Sequence, residues 1–295
     1  MKQAYPTLGL EKLCGLFGVT RQAYYEAYNY EKKTSIAHMI VLRLVKDLRD
    51  TMPMLGTRKL LFKIEPMLKD HGIKMGRDQL FDLLRFHGML IRRRKRSIVT
   101  TDSFHWLKKY PNLIEDAPVC ASEQVWVSDI TYIKTIEGYS YLSLITDAYS
   151  RKIVGYCLHP SLESAGCIEA LNMALSNRLF NDRILIHHSD RGVQYCSSSY
   201  VDILMDNGVG ISMTQNGSPY ENALAERMNG IIKSEFIPRK LFRNHDEARK
   251  AIDSIIEAYN SRRPHASLNY LTPEVAHTAE GTIPKRWKKY KRATE

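Results

Sequence analysis

The chain changes its hydrophobic rhythm near residue 124. Before that point apolar residues recur at helical spacing: Leu10, Leu13, Cys14 and Phe17 share one face, Gly18 interrupts, and Thr20 offers an N-cap from which a second helix restarts. The plan repeats over residues 56–90, where two amphipathic segments flank a turn containing Gly72 and Gly76, and the second sets Leu80, Leu83, Leu84 and His87 on one face. After residue 124 the period drops to two. "QVWVSDITYIKT" and "YSYLSLITDAYS" alternate around Gly138, and "RKIVGYCLHP" follows a second tight turn, which predicts three antiparallel strands. A helix over "ESAGCIEALNMALSNR", a strand ending at Asp190, a helix over "SSSYVDILMDNG", a short strand "GISMT" and a long helix from about Asn222 complete the order βββαβαβα. The expected fold class is therefore α/β: a mixed sheet covered by helices and preceded by all-α helix-turn-helix modules. Right-handed crossovers set the strand ending at Asp190 parallel to, and near, the first strand. Five regions are expected: helix-turn-helix modules over 1–45 and 46–100, a linker over 101–120 with few periodic apolars, an α/β core over 121–240, and a C-terminal helix with a basic tail over 241–295.

Charge narrows the partners. Forty-three Lys and Arg against 32 Asp and Glu leave a net charge of +11, with a pI near 9.3, which favours nucleic acid or an anionic membrane face. No apolar run approaches the roughly 18 residues that span a bilayer, and the N-terminus has no signal-peptide core, so a cytoplasmic protein with no membrane partner is expected. The five cysteines are scattered without a C-x-x-C pair and read as reduced thiols. His187 and His188 are strand neighbours pointing to opposite faces, which does not suit one shared metal.

Several basic segments could meet a phosphate backbone. Arg21, Gln22, Tyr24 and Tyr25 open the restarted helix, where they could reach phosphates and base edges in a major groove; a plain helical hairpin has the same pattern. Arg77 opens the second helix of the next module, and Arg92, Arg93, Arg94, Lys95 and Arg96 follow it as either a solvated tail or a phosphate-tracking strip. "YNSRRPHASLNYLTPEVA" sets Arg262, Arg263 and His265 around Pro264, as a packed cap on the core or as a DNA contact. The tail "PKRWKKYKR" interleaves basic and aromatic residues, which suits phosphates and stacking and equally suits a disordered end.

Three acids carry the chemistry. Asp190 ends a strand in "RILIHHSDRGVQY", where it is either a turn residue or a functional group held at the rim of a rigid sheet. Asp129 sits mid-strand in "VWVSDITY", an expensive place for a carboxylate unless the face is exposed or something positive binds there. Glu226 lies one turn beyond Asn222, with Asn229 and Lys233 at +3 and +7 on the same helix face; alone, it would be an ordinary solvated helix residue. Two acids on adjacent strands and one on a covering helix could converge on divalent cations, which take hard oxygen ligands. Two such ions about 3.5 to 4 Å apart would activate a water or a 3′-hydroxyl for in-line attack on a phosphodiester.

Sixty-one positions separate Asp129 from Asp190, and thirty-six separate Asp190 from Glu226. With "SDITYI", "HHSDRGVQY", "SPYENALAERMNGIIKSE" and "YNSRRPHASLNYLTP", this spacing closely resembles the retroviral-integrase-like transposases of bacterial insertion sequences, specifically the second reading-frame product of the IS-three family, over nearly the whole chain. The resemblance implies an RNase H-like integrase catalytic core whose Asp-Asp-Glu triad falls on Asp129, Asp190 and Glu226. It implies two Mg²⁺ ions, Mn²⁺ substituting, and a Mg-dependent polynucleotidyl transferase that exposes a 3′-hydroxyl at the element's end and transfers that strand, usually through a circular intermediate. It implies as partners the element's terminal inverted repeats, target DNA, further copies of the chain on DNA, and the upstream reading-frame product, all in the bacterial nucleoid. Lys233 falls on the family's basic position facing DNA near the scissile phosphate, and Asn222, Gly217 and Asn229 fall on active-site support. Glu221 departs from the pattern, since relatives often carry Asp before that Asn. The chain also lacks the His-His-Cys-Cys zinc module of retroviral integrases and the leucine zipper that the upstream frame supplies. A catalytically inactive DNA-binding regulator derived from a transposase, and a general RNase H-type nuclease, are the competing readings.

Overall fold

The computed structural model describes residues 8–91, 106–115, 118–215, 222–237 and 241–284, apart from the side chains of 30–33. Contacts divide the chain into two compact units, Met1–Asp50 with Gly56–Ile91, and Thr51–Leu55 with Arg92–Glu295.

The first unit is all-α. Helix α1 (Leu10–Leu16) buries Leu13 and Cys14, and the chain then turns through Gly18 at φ +66, a left-handed conformation that glycine takes without steric cost. Thr20 Oγ1 accepts the amide of Ala23 at 3.0 Å, the expected N-cap. Helix α2 (Arg21–Thr51) then runs 31 residues. The boundary expected at 45/46 falls inside it, because no Gly or Pro occurs between residues 21 and 51 to stop a helix. Helices α3 (Thr57–Asp70) and α4 (Arg77–Phe86) follow, burying Leu60, Ile64 and Leu68 on one and Leu80, Leu83 and Leu84 on the other. His87, expected on that apolar face, is the exposed C-cap of α4. The two helix pairs, expected as separate modules, thus share one compact unit, and Arg49 Nη1 ties α2 to the carbonyl of Met89 at 2.7 Å.

The second unit is a five-stranded sheet in the order β3-β2-β1-β4-β5. Its strands are β1 (Val125–Lys134), β2 (Tyr139–Asp147), β3 (Ile153–His159), β4 (Ile186–Ser189) and β5 (Gly210–Met213). β1, β2 and β3 are antiparallel, whereas β4 pairs parallel to both β1 and β5. Helices α5 (Ser164–Ser176), α6 (Val193–Cys196), α7 (Ser198–Asp206), α8 (Ala223–Ile231), α9 (His245–Arg262) and α10 (Pro273–His277) complete it; the single turn α6 was not expected. The order and mixed pairing are those of an RNase H-like sheet, as the period change and the crossover rule imply. One core cluster, built around Trp126, Ile145, Leu171, Leu185, Tyr200 and Leu204, is fully buried. α5 approaches β3 so closely at Gly155 that a Cβ there would lie 2.1 Å from the Ala170 carbonyl oxygen.

Each edge strand of the sheet meets a partner that is not a strand. On β3, Asn260 of α9 accepts the Ile153 amide and donates to the Ile153 carbonyl, each at 2.9 Å. On β5, the Pro111 carbonyl accepts the Met213 amide at 3.2 Å, and the Leu113 amide donates to Ser212 Oγ at 2.8 Å. Residues 106–115, expected within a linker, therefore run along the core, with Leu107 and Tyr110 packed against its main cluster. The reason is that unpaired edge groups need partners, and an aperiodic segment supplies them as well as a strand does. No described helix is long and apolar enough to cross a membrane.

Candidate active site

The ladder between β1 and β4 explains one number in the sequence. Val125 pairs with Ile186, Trp126 with His187 and Val127 with His188, a constant offset of sixty-one residues. That offset is also the separation of Asp129 from Asp190, so continuing the register two residues past its last pair brings the two acids side by side. Asp190 follows directly on β4 and also starts a turn, since its Oδ1 accepts the Gly192 amide at 3.0 Å. It is a turn residue and a neighbour of Asp129 at once.

A second matching of periods lays α8 over β1. Two residues along a strand advance about 6.6 Å, and four residues along a helix advance about 6 Å, so alternate strand residues stay in step with every fourth helix residue. Val127 and Ala225 share a small apolar cluster. Two residues on, Asn229 Nδ2 donates to Asp129 Oδ2 at 2.7 Å. Two further on, Lys233 Nζ donates to Thr131 Oγ1 at 3.0 Å. Asn222, the N-cap position of α8, donates to the Ser128 carbonyl at 3.0 Å. Lys233 lies where the expected long helix changes character: Ile232–Phe236 forms a π-helical turn, closed by a 3.2 Å bond from the Ile237 amide to the Ile232 carbonyl. π-turns inside helices recur at functional sites.

The electrostatics of this corner are strained. Burial, then the charge of Asp190 and more weakly that of Glu226, push the Asp129 carboxyl up to about 7, against the hydrogen bonds from Asn229 and the Ile130 amide. Burial lowers Lys233, partly offset by the charge of Asp129. Asp129 and Asp190 are half-buried and Glu226 is exposed. The structure thus brings Asp129 and Asp190 together and leaves Glu226 within electrostatic reach. Among the described residues no three His, Cys, Asp or Glu side chains are close enough to enclose an ion as they stand. The donor set nevertheless fits a divalent cation in its chemistry: hard oxygens only, on three carboxylates whose mutual repulsion a cation would relieve.

Beneath the acids lies a neutral support. His187 Nε2 is 2.8 Å from Ser128 Oγ and 2.9 Å from the Tyr200 hydroxyl. Burial, then His188, hold its imidazole down at about 3, so it is neutral and serves as a hydrogen-bond partner. His188 Nδ1 lies 2.9 Å from Ser212 Oγ.

The expected DNA-facing residues separate into three groups. Arg21 and Gln22 are exposed at the start of α2, Gln22 donating to Glu26 at 2.9 Å, and Tyr24 stacks on Tyr28 with 6.5 Å between centroids. Arg77 is exposed and paired with its neighbour Asp78 at 2.8 Å, and Arg262 is exposed at the end of α9. Arg263 is a correction: it is buried, with Nε and Nη2 each donating to Glu235 at 2.8 Å, so its guanidinium is committed to the core. His265 is buried beside it, its Nδ1 2.8 Å from Ser267 Oγ, and left-handed Asn269 and Tyr270 close the loop, so "RRPHASLNY" is a packed cap at those positions. Arg92, Arg93, Arg94, Lys95, Arg96, Gly217, Glu221 and the tail from Lys285 onward lie outside the described residues.

Reading the sequence missed a second acid cluster. Asp147 is fully buried and accepts from the Glu123 amide at 2.6 Å, the Ser150 amide at 2.7 Å, Ser150 Oγ at 2.8 Å and the Tyr149 amide at 3.1 Å. Glu123 in turn accepts from the Leu179 and Phe180 amides, each at 2.8 Å, and lies 3.2 Å from His277 Nε2. The pattern Asp-x-x-Ser at 147–150 is a turn signature and was the available signal.

Comparison with known proteins agrees with this architecture. Residues 121–219 and 207–273 match two integrase core domain families. The insertion element IS600 uncharacterized 31 kDa protein of Shigella sonnei is 36% identical over 267 residues, covering 88% of this chain and 96% of its own length. The transposase for insertion sequence element IS629, also from Shigella sonnei, is 31% identical over 217 residues, covering 74% of this chain and 73% of its own. Transposase InsF for insertion sequence IS3A of Escherichia coli K12 is 36% identical over 172 residues, covering 58% and 59%. Among solved structures, the magnesium-bound HTLV-2 integrase catalytic core domain aligns with a TM-score of 0.42 at 20% identity, over 53% of this chain and 97% of that one. The chain therefore belongs to the insertion-sequence transposases that carry an integrase core domain.

Proposed function

We propose that the chain cuts DNA at the ends of its element and joins the freed 3′-hydroxyl to target DNA, with Asp129, Asp190 and Glu226 as the ligands of two divalent cations, magnesium or, in substitution, manganese. One observation carries this reading: two acids at the ends of a parallel strand pairing meet in register, and burial together with the outer one's charge raises the inner carboxyl to about 7. When bound, the cations supply the activation of the attacking oxygen and the stabilisation of the leaving 3′-oxygen.

The chain's own residues do the rest. Asn229 fixes the orientation of the Asp129 carboxylate through Oδ2, and Asn222 anchors the start of α8 to β1 beside it. Lys233, one strand repeat from Asp129, holds a positive charge where a non-bridging phosphate oxygen would need one. Outside the core, the all-α unit reads the terminal inverted repeats through Arg21, Gln22 and Tyr24, with Arg77, the basic run 92–96 and Arg262 tracking phosphates of element and target DNA. Several copies of the chain, with the upstream reading-frame product, assemble on that DNA in the bacterial cytoplasm.

Asp190→Asn tests the reading. Wild type with Mg²⁺ should nick duplexes bearing the element's ends, and the variant should lose that activity at least about 10³-fold while still binding, since binding rests on phosphate contacts. Identical behaviour of the two proteins, with no cutting by either, would favour the DNA-binding regulator; cutting of scrambled duplexes as fast as element ends would favour a general nuclease.

A further inference from the structure

Trp106 is 92% exposed. Leaving an indole in water forgoes burial of one of the largest apolar surfaces a side chain offers, and the segment that carries it is otherwise docked. Leu107 and Tyr110 pack on the core, Lys108 Nζ sits 5.0 Å from the centroid of the Tyr110 ring, and no acid occurs between Trp106 and Ile114. The result is an outward-facing aromatic just ahead of the seated Leu107 and Tyr110, with Lys108 and Lys109 beside it.

The segment runs close to the acid cluster. The Pro111 carbonyl bonds the Met213 amide, Met213 pairs with Ser189, and Asp190 comes next, so Pro111 lies about two strand spacings, roughly 10 Å, from the end of β4. Trp106 is five residues away, at most about 17 Å of chain. The Cys196 thiol touches the Met213 sulfur at 3.7 Å and lies in electrostatic reach of Asp190, Lys109 and Arg191 together.

We infer that Trp106, Lys108 and Lys109 form a contact for single-stranded DNA on the rim of the acid cluster, the indole stacking on a base freed from the duplex and the two ammonium groups facing its flanking phosphates. Inside a duplex both faces of every base are covered by neighbours, so an exposed ring can stack only on a terminal or unpaired base. The two lysines, on a stretch with no acid of its own between Trp106 and Ile114, select a polyanion. This inference rests on the DNA-cutting reading and names the part of the substrate that the site grips.

The test uses the full-length chain and two element-end duplexes, one closed at both ends by hairpins and one with a single-stranded overhang of about four bases at the cut end. Trp106→Ala should weaken binding of the overhang duplex about ten-fold or more and leave the closed duplex unchanged, and Trp106→Tyr should restore most of the loss. Lys108→Ala with Lys109→Ala should reduce the salt dependence of overhang binding by about one unit of slope. In a Trp287→Phe background, where the only other indole, Trp126, is fully buried, single-stranded oligonucleotide should quench the exposed emission. Equal overhang affinity for wild type and Trp106→Ala, or no quenching, would overturn the inference. The Asp190→Asn protein separates the two readings: if it cuts as wild type does, the catalytic assignment fails whatever Trp106 does, and if Trp106→Ala alone is neutral, only the rim contact fails.

Discussion

The sheet carries two pairs of acids that the same physics treats in opposite ways. Asp147 and Glu123 are the more deeply buried, yet each has a full complement of donors. Burial alone would raise Glu123, but the hydrogen bonds from His277 and the Leu179 and Phe180 amides outweigh it and hold the carboxyl below its ordinary value. Asp129 rises to about 7 because burial, then the charge of Asp190 and more weakly that of Glu226, outweigh its two hydrogen bonds, which fall short of compensating. Burial pushes both carboxyls up; what separates them is whether donors or a like charge stand beside them. One pair is met by donors from three segments of the fold, and in the other the two acids raise one another's cost.

The largest expected effect separates the pairs by activity. Asp129→Asn should abolish strand cutting, a loss of at least about 10³-fold in rate, whereas Asp147→Asn should cut normally per folded molecule; equal losses measured on folded protein would break the comparison. Stability should show the reverse. Asp147→Asn should cost about 3 kcal/mol in denaturant unfolding because several charge-assisted bonds are lost in a dry site, and Arg263→Ala should cost a similar amount by orphaning the partly buried Glu235.

The pH dependence sharpens the contrast next. Because the folded Asp129 carboxyl titrates near 7, above its unfolded value of 3.8, its contribution to stability is fully present below about 3.8 and is lost as pH rises through 7. Asp129→Asn should therefore be more stable than wild type at pH 8, by about 1–2 kcal/mol once solvent screening is allowed for, and equal to it at pH 4. Glu123 has the opposite sign: its contribution is present above the unfolded value of 4.5 and is lost as pH falls through the lower folded value, so Glu123→Gln should destabilise at pH 7 and progressively less as pH falls through that lower value. The smallest effect belongs to Arg262. Arg262→Ala should change stability by less than about 0.5 kcal/mol and lower the salt dependence of DNA binding by about one unit of slope.

How much could be read beforehand follows from which features are local. The element order and the meeting of Asp129 with Asp190 follow from a period change and a handedness rule, both visible in one dimension. The shared face of Glu226, Asn229 and Lys233 is helix arithmetic. Arg263 could not be placed that way, because its partner Glu235 stands 28 residues away and only the folded chain joins them. The network of Glu123, Asp147 and His277 draws on three distant segments, with sequence gaps of 24 and 154 residues. The π-turn after α8 is a backbone choice that no side-chain pattern announces. The supposed linker was misplaced because composition reveals whether a segment can build its own core, not whether it can borrow one.

The guarded positions at the margins of the sheet bear on assembly. A transposase working, as proposed, in several copies at one junction holds its domains at very high local concentration, the condition under which bare strands zip together into aggregates. With Asn260 standing in for a neighbour at Ile153 on one flank and the Pro111 carbonyl at Met213 on the other, those backbone groups are already taken and offer a second copy no bonds to extend the sheet.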